Sequence, residues 1–157
     1  MIQRIQSFLL VLAACGAALC LMFPVALYAP AGEDPQMALY LLPHSSDAIA
    51  FIRIDWILTV LMFVIGIISL VSIFLYKNRI RQMRVVTVNV LLSAVYIALT
   101  LLYSVDHALA VAHLPGNLEP NYSIGSYIPM VMAVLLIISQ RCIRADEMKV
   151  RAADRIR

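Results

Sequence analysis

At 157 residues the chain has room for one domain, and 63% of it is hydrophobic with a mean hydropathy of +0.91, far outside the range of a water-soluble globular protein. Charged residues make up only 13%, too little polar surface to cover a core in water, so most of the chain must be solvated by lipid or by other apolar helices. The formal charge of +3 is small and gives no reason to expect a nucleic-acid partner; where the basic residues fall matters more than their sum.

The first apolar run, 7–29, follows Arg4. The stretch MIQRIQSFLLVLAACGAALC has the basic-then-apolar order of a secretory signal, but the run exceeds a typical h-region and no clear A-x-A site follows, so it reads as a retained first span. Pro24 should kink or loosen the last turns, which membrane helices tolerate when neighbours satisfy the backbone. Ala13, Ala14, Gly16, Ala17, Ala18 and Cys20 supply small-xxx-small steps for close helix approach, within a bundle or towards a second copy or partner helix. Cys15 and Cys20 read as small packing residues, and with Cys142 they form no CxxC and place no cysteine in an outer loop, so a disulfide framework is not expected.

Segment 30–55 carries apolar clusters at 37–42 and 48–52, which fold back onto the membrane surface or pair with the second outer segment, as strands or as short helices. Arg53 and Asp55 flank the second span, 56–76, and Asp55 stands at a helix N-terminus, where negative charge is favoured. Gly66, Ser69 and Ser72 repeat the small-residue pattern in that span. The third span, 85–105, holds Asn89, Ser93 and Thr100 at stripe-like spacing; with Thr59 opposite they offer hydrogen bonds across helices or the lining of a small lipid or quinone pocket. In the second outer segment, 106–123, SVDHALAVAHL prolongs the third helix until Pro115 and Gly116 stop it. Asp106, His107 and His113, joined by His44 or Asp47, are borderline zinc ligands, but their spacing matches no known site and no metal or cofactor is assigned. The fourth span, 124–143, carries Pro129 near its start, where a missing N–H is tolerated. Spans of about 20 residues at about 1.5 Å rise match a hydrocarbon core of about 30 Å.

Arg4, the link residues Lys77, Arg79, Arg81 and Arg84, and the closing Arg141, Arg144, Lys149, Arg151, Arg155 and Arg157 leave only Arg53 for the other face. By the positive-inside rule the N-terminus, the middle link and the C-terminus are cytoplasmic. Tyr28, Trp56, Tyr103, Tyr122 and Tyr127 gather at the outer ends as an interfacial belt. No charged residue lies in the middle of a span, which argues against a proton relay, a voltage sensor or an ion-coupled transporter.

The tail, 144–157, is the most informative polar element. Cys142, Ala145, Met148, Ala152 and Ile156 recur at three- and four-residue steps, one face of a helix if the fourth span continues. Glu147 with Arg151 and Asp146 with Lys149 are spaced to support that helix, and Arg4 is placed to pair with Asp146 or Glu147 if the first and fourth helices pack together. Two readings stand: a basic anchor on anionic lipid, at about 1 kcal/mol per basic residue, or a docking helix for a cytoplasmic or membrane partner, favoured by the interleaved acids. The docking candidates are Arg4, Arg144, Asp146, Glu147, Met148, Arg151, Asp154 and Arg155.

Four segments carry a family likeness: the opening MIQRIQSFLLVLAA, the link LYKNRIRQMR, YSIGSYIPM and the closing RCIRADEMKVRAADRIR. Together they resemble domain of unknown function 4293, a family of small four-span membrane proteins of Bacteroidota, in which the chain opens with a near-identical Met-Ile-Gln-Arg-Ile-Gln and closes on Asp-Arg-hydrophobic-Arg. The resemblance implies an inner-membrane location in a Gram-negative cell and no activity. The expectation is therefore an all-α membrane protein: an antiparallel four-helix transmembrane bundle with both termini inside, capped outside by two loops. Its expected role is a non-enzymatic accessory or scaffold subunit of a membrane assembly. The alternative is a lipid- or small-molecule-binding protein, transporter or enzyme, with a pocket between helices and outer loops.

Overall fold

The computed structural model describes residues 2–30, 37–42, 50–52, 56–104 and 118–154, with side chains for 5–29, 38–42, 56–76, 78–102, 121–150 and 152. Its helices are α1 (Ile2–Met22), α2 (Trp56–Phe74), α3 (Arg79–Leu99) and α4 (Ile124–Asp154). Among the described residues these are four helices long and apolar enough to cross a membrane. Large apolar side chains stand exposed along all of them, Phe8, Ile67, Leu91 and Val131 among them, the surface a helix needs when its solvent is lipid.

The first helix is shorter than the apolar run that suggested it. It stops at Met22, and Ala26–Pro30 is strand β1. The cause is Pro24, which has no N–H to give and biases Phe23 away from helical backbone. The last helix-like bond runs from Phe23 N to Leu19 O, after which Val25 N turns to Leu39 O. Strands β2 (Met37–Leu39), β3 (Ala50–Ile52) and β4 (Leu118–Tyr122) complete a sheet of order β3-β2-β1-β4. β1 is antiparallel to both neighbours, with Ala26 opposite Leu39 on one side and Tyr122 on the other, while β2 and β3 run parallel. Both segments that the sequence leaves between spans therefore meet in one sheet, and β1 is its centre. Along β1 the strand period puts Ala26 and Tyr28 fully inside, while Leu27 and Ala29 are half-buried. Their buried face joins Leu39, Leu41, Leu21, Leu58, Met62 and Tyr96 in one core, so the sheet closes one end of the helices.

α1 packs on α2 and α4, and α3 packs on the same two helices, so the four form a ring. Small residues set the spacing. A Cβ on Gly16 would lie 2.7 Å from Met132 Cγ and one on Gly66 3.2 Å from Ala17 Cβ, and Ala13, Ala17 and Cys20 are buried in the same stripe of α1. Away from the sheet a second core gathers Leu10, Ala13, Val86, Leu136 and Ile143. A 3₁₀ turn, Leu75–Lys77, joins α2 to α3, closed by Asn78 N to Leu75 O and Gln82 N to Asn78 O. α3 thus begins at Arg79, six residues before the expected span, and ends in a π turn, Thr100–Ser104. The expected prolongation of α3 by SVDHALAVAHL falls, beyond Ser104, outside the described residues.

Candidate functional site

The structure concentrates its polar detail in three places. The first is the junction of α1, β1 and α4. Ser123 N donates to Val25 O and Gly125 N to Pro24 O, so α4 starts directly against the turn that ends α1. Gly125 is required there, because a Cβ would run into the Pro24 carbonyl. Pro129 lies one turn into α4, and its missing N–H leaves the Gly125 carbonyl without its usual i+4 donor. The Cys20 thiol fills that position, donating to Gly125 O at 3.3 Å, with its sulfur 3.7 Å from the Tyr96 hydroxyl. Cys20→Ala should cost about 1 kcal/mol by reopening that carbonyl in an apolar setting; equal unfolding midpoints for this variant and the parent chain would sink the assignment.

The second place is the interior of the ring at the end far from the sheet. Gln6, Ser69, Ser72, Gln82, Asn89 and Ser139 are all buried there. Gln82 Nε2 donates to the Ser72 carbonyl, Asn89 Nδ2 to Ser69 Oγ at 2.8 Å, and Gln140 Nε2 to Thr87 Oγ1 at 2.7 Å. Ser69, Ser72, Thr87, Ser93 and Thr100 each return their hydroxyl proton to a carbonyl four residues back. The pocket that Asn89, Ser93, Thr100 and Thr59 suggest does not form from those four. Thr59 reaches Leu41 O at 2.7 Å beside the sheet, whereas Asn89 meets Ser69, ten residues further along α2.

The third place is the tail. It is helical, since α4 runs unbroken to Asp154, as the three- and four-residue spacing suggests. Arg144 and Met148 are exposed, Glu147 is half-buried, and Asp146 forms an ion pair with Arg79 at 3.0 Å. Sequence spacing offers Arg4 or Lys149 to Asp146; the structure gives it Arg79, the first residue of α3, while Lys149 is exposed. Arg4, Arg151 and Asp154 lie in helical backbone with side chains outside the described residues, and Arg155 lies outside them altogether. The histidine-bearing set His44, Asp47, Asp106, His107 and His113, and the pair Arg53 and Asp55, also lie outside them.

The buried glutamines and Ser139 are the residues that sequence reading missed. One signal was available: Gln82, Asn89, Ser93 and Thr100 follow steps of seven, four and seven, a single stripe of α3.

A family model described as Domain of unknown function (DUF4293) matches residues 2–156, nearly the whole chain. The chain belongs to that family. Comparison with curated proteins and with solved structures finds no match. In this DUF4293 chain two of the segments that carry the likeness meet, since Arg79 of LYKNRIRQMR pairs with Asp146 of RCIRADEMK, while Gly125 of YSIGSYIPM sits against the turn that ends α1.

Proposed function

We propose that this protein is a non-enzymatic accessory or scaffold subunit of an inner-membrane assembly, an antiparallel bundle with both termini cytoplasmic, the sheet outside, and α4 as its docking element. The observation that carries this reading is the length of α4. Thirty-one residues at about 1.5 Å each span about 46 Å against a core of about 30 Å, so about three turns extend past the bilayer. That extension exposes Met148 (59%) and, one turn on along the same face, Ala152, with Arg144 and Lys149 exposed beside them, and the Arg79–Asp146 pair fixes its base to the bundle. An exposed apolar strip rimmed by charge on a fixed helix is what a protein partner reads.

Purification of the tagged chain from its native membrane should return a stoichiometric partner. A chain ending at Arg144 should lose it. Met148→Asp, which leaves the Arg79–Asp146 pair in place, should lose it too while keeping the parent unfolding midpoint. Retention of every partner by both variants would remove the docking role.

A lipid- or small-molecule-binding role is the second reading, and the buried polar layer far from the sheet favours it. A monodisperse monomer carrying bound lipid or cofactor, with no protein partner, would select it over the scaffold.

A further inference from the structure

We propose that the outer groove between α3 and α4, at the end of the bundle away from the sheet, binds an anionic phospholipid, with Arg84, Arg141 and Arg144 on its phosphate. Two contacts fix the register of these helices: Gln140 Nε2 donates to Thr87 Oγ1 at 2.7 Å, and Arg79 pairs with Asp146 at 3.0 Å. From the first to the second the chain steps back along α3 and forward along α4. One turn from the Gln140–Thr87 bond towards Asp146 stand Arg84 on α3 and Arg144 on α4, three and four residues away and so on the same sides of their helices as the bonded pair. One turn the other way, by the same spacing, stand Leu91 and Ile137. All four are exposed, whereas Val86 and Asn89 on α3 and Leu136, Ser139 and Ile143 on α4 are buried. Each helix thus lines the groove with an arginine towards the tail and an aliphatic side chain towards the sheet, and Arg141, exposed beside Gln140, adds a third guanidinium.

Charge selects what fills the groove. Among the described residues Asp146 is taken by Arg79, and Glu147 is half-buried with an interaction of its own, while Arg84, Arg141 and Arg144 make no ion pair. Guanidinium groups held at one height on neighbouring helices repel, and an anion between them turns that repulsion into attraction. Packed helix axes stand about 8–10 Å apart, so arginines from both reach one phosphate, which each can grip through two parallel N–H···O bonds.

Height selects a lipid as the source of the phosphate. Arg144 follows Ile124 by about 30 Å along α4, against a hydrocarbon core of about 30 Å. The three arginines therefore lie where acyl chains give way to headgroups, the level at which basic pockets between helices take anionic lipids. Leu91 (61%) and Ile137 (38%) carry the groove on into the hydrocarbon. That surface suits an acyl chain and is of no use to inorganic phosphate or an acidic peptide. The inference stands apart from the docking role of the tail, since a chain ending at Arg144 keeps all three arginines.

Native mass spectrometry of the full chain released from nanodiscs made of equal amounts of phosphatidylglycerol and phosphatidylcholine tests it. The parent chain should retain phosphatidylglycerol several-fold more often than phosphatidylcholine. Arg84→Gln and Arg144→Gln should each cut that preference several-fold. Lys149→Gln, which removes the same charge from another face of α4, should leave it at the parent value. Equal retention of the two lipids by the parent chain overturns the site, and so does an equal loss in Lys149→Gln, which would mean general attraction to a basic surface. Displacement of the lipid by excess inorganic phosphate or by a polyglutamate peptide overturns it as well. Retention of dihexanoyl phosphatidylglycerol as strong as that of the long-chain lipid does the same, because the aliphatic pair would then have no part in binding.

Discussion

Gly125→Ala should lower the unfolding midpoint well beyond Gly16→Ala or Gly66→Ala. At Gly66 the added methyl meets Ala17 at 3.2 Å, and at Gly16 it meets the flexible side chain of Met132, which can swing away. At Gly125 it meets the backbone carbonyl of Pro24, with the carbonyls of Pro24 and Phe23 both in the way. Backbone cannot rotate aside, so α4 must withdraw from the α1 turn and give up the Gly125 N to Pro24 O bond. Neighbouring contacts depend on the same approach, including the Cys20 thiol on Gly125 O and the Ser123 bond to Val25. Overpacking costs about 1–3 kcal/mol in a well-packed interior, and the expectation is about 3 kcal/mol at Gly125 against about 1 at Gly16. Thermal unfolding in mild detergent, followed by circular dichroism, measures both. Equal losses at the two glycines would show that the junction is more pliable than its geometry.

Asp146→Arg should release the base of the tail, and Arg79→Glu combined with Asp146→Arg should restore it. The two side chains are 34% and 19% exposed, between a screened surface pair and a buried one. Simple loss of the pair is therefore worth about 1 kcal/mol or less. Reversal adds repulsion between two arginines held at one point and raises the effect to about 2 kcal/mol. The readout is local: trypsin should cut after Arg144 and Lys149 several-fold faster in the single variant, and at the parent rate in the charge swap. Cleavage unchanged in the single variant, or uncorrected in the swap, would mean that the pair does not position the tail.

Periodicity and length made the four helices legible, because an apolar run of about 20 residues has few other solutions in a bilayer. The tail helix was legible for the same reason, from the steps Cys142, Ala145, Met148 and Ala152. The end of α1 was not. Hydropathy continues through Val25–Ala29, and it cannot tell a helix in lipid from a strand buried against helices; only Pro24 marked the change. The sheet was hidden by the separation of its strands, since β1 pairs with β4 across about 90 residues and no local pattern encodes that register. In the candidate site, the polar stripe of α3 showed in part through Asn89, Ser93 and Thr100. Gln6 and Ser139 gave no signal, because one polar residue at the edge of an apolar run reads equally well as interfacial. The partner of Asp146 was missed because spacing along a helix favours local pairs, whereas the tight turn at Leu75–Lys77 delivers Arg79 from another part of the chain.

The continuity of α4 has a mechanical consequence. β4 ends at Tyr122 and α4 begins at Ile124, so the sheet and the projecting end are joined by one rod with a single-residue coupling at its near end. Its near end bears on Pro24 through Gly125, a contact between backbones that acts as a fulcrum. A tilt of about 5° there would carry the far end of a rod about 46 Å long through about 4 Å. At Asp146, about 33 Å from Ile124, the same tilt amounts to about 3 Å, as much as the 3.0 Å separation of Arg79 and Asp146, so keeping the ion pair limits how far the helix can swing about its near end.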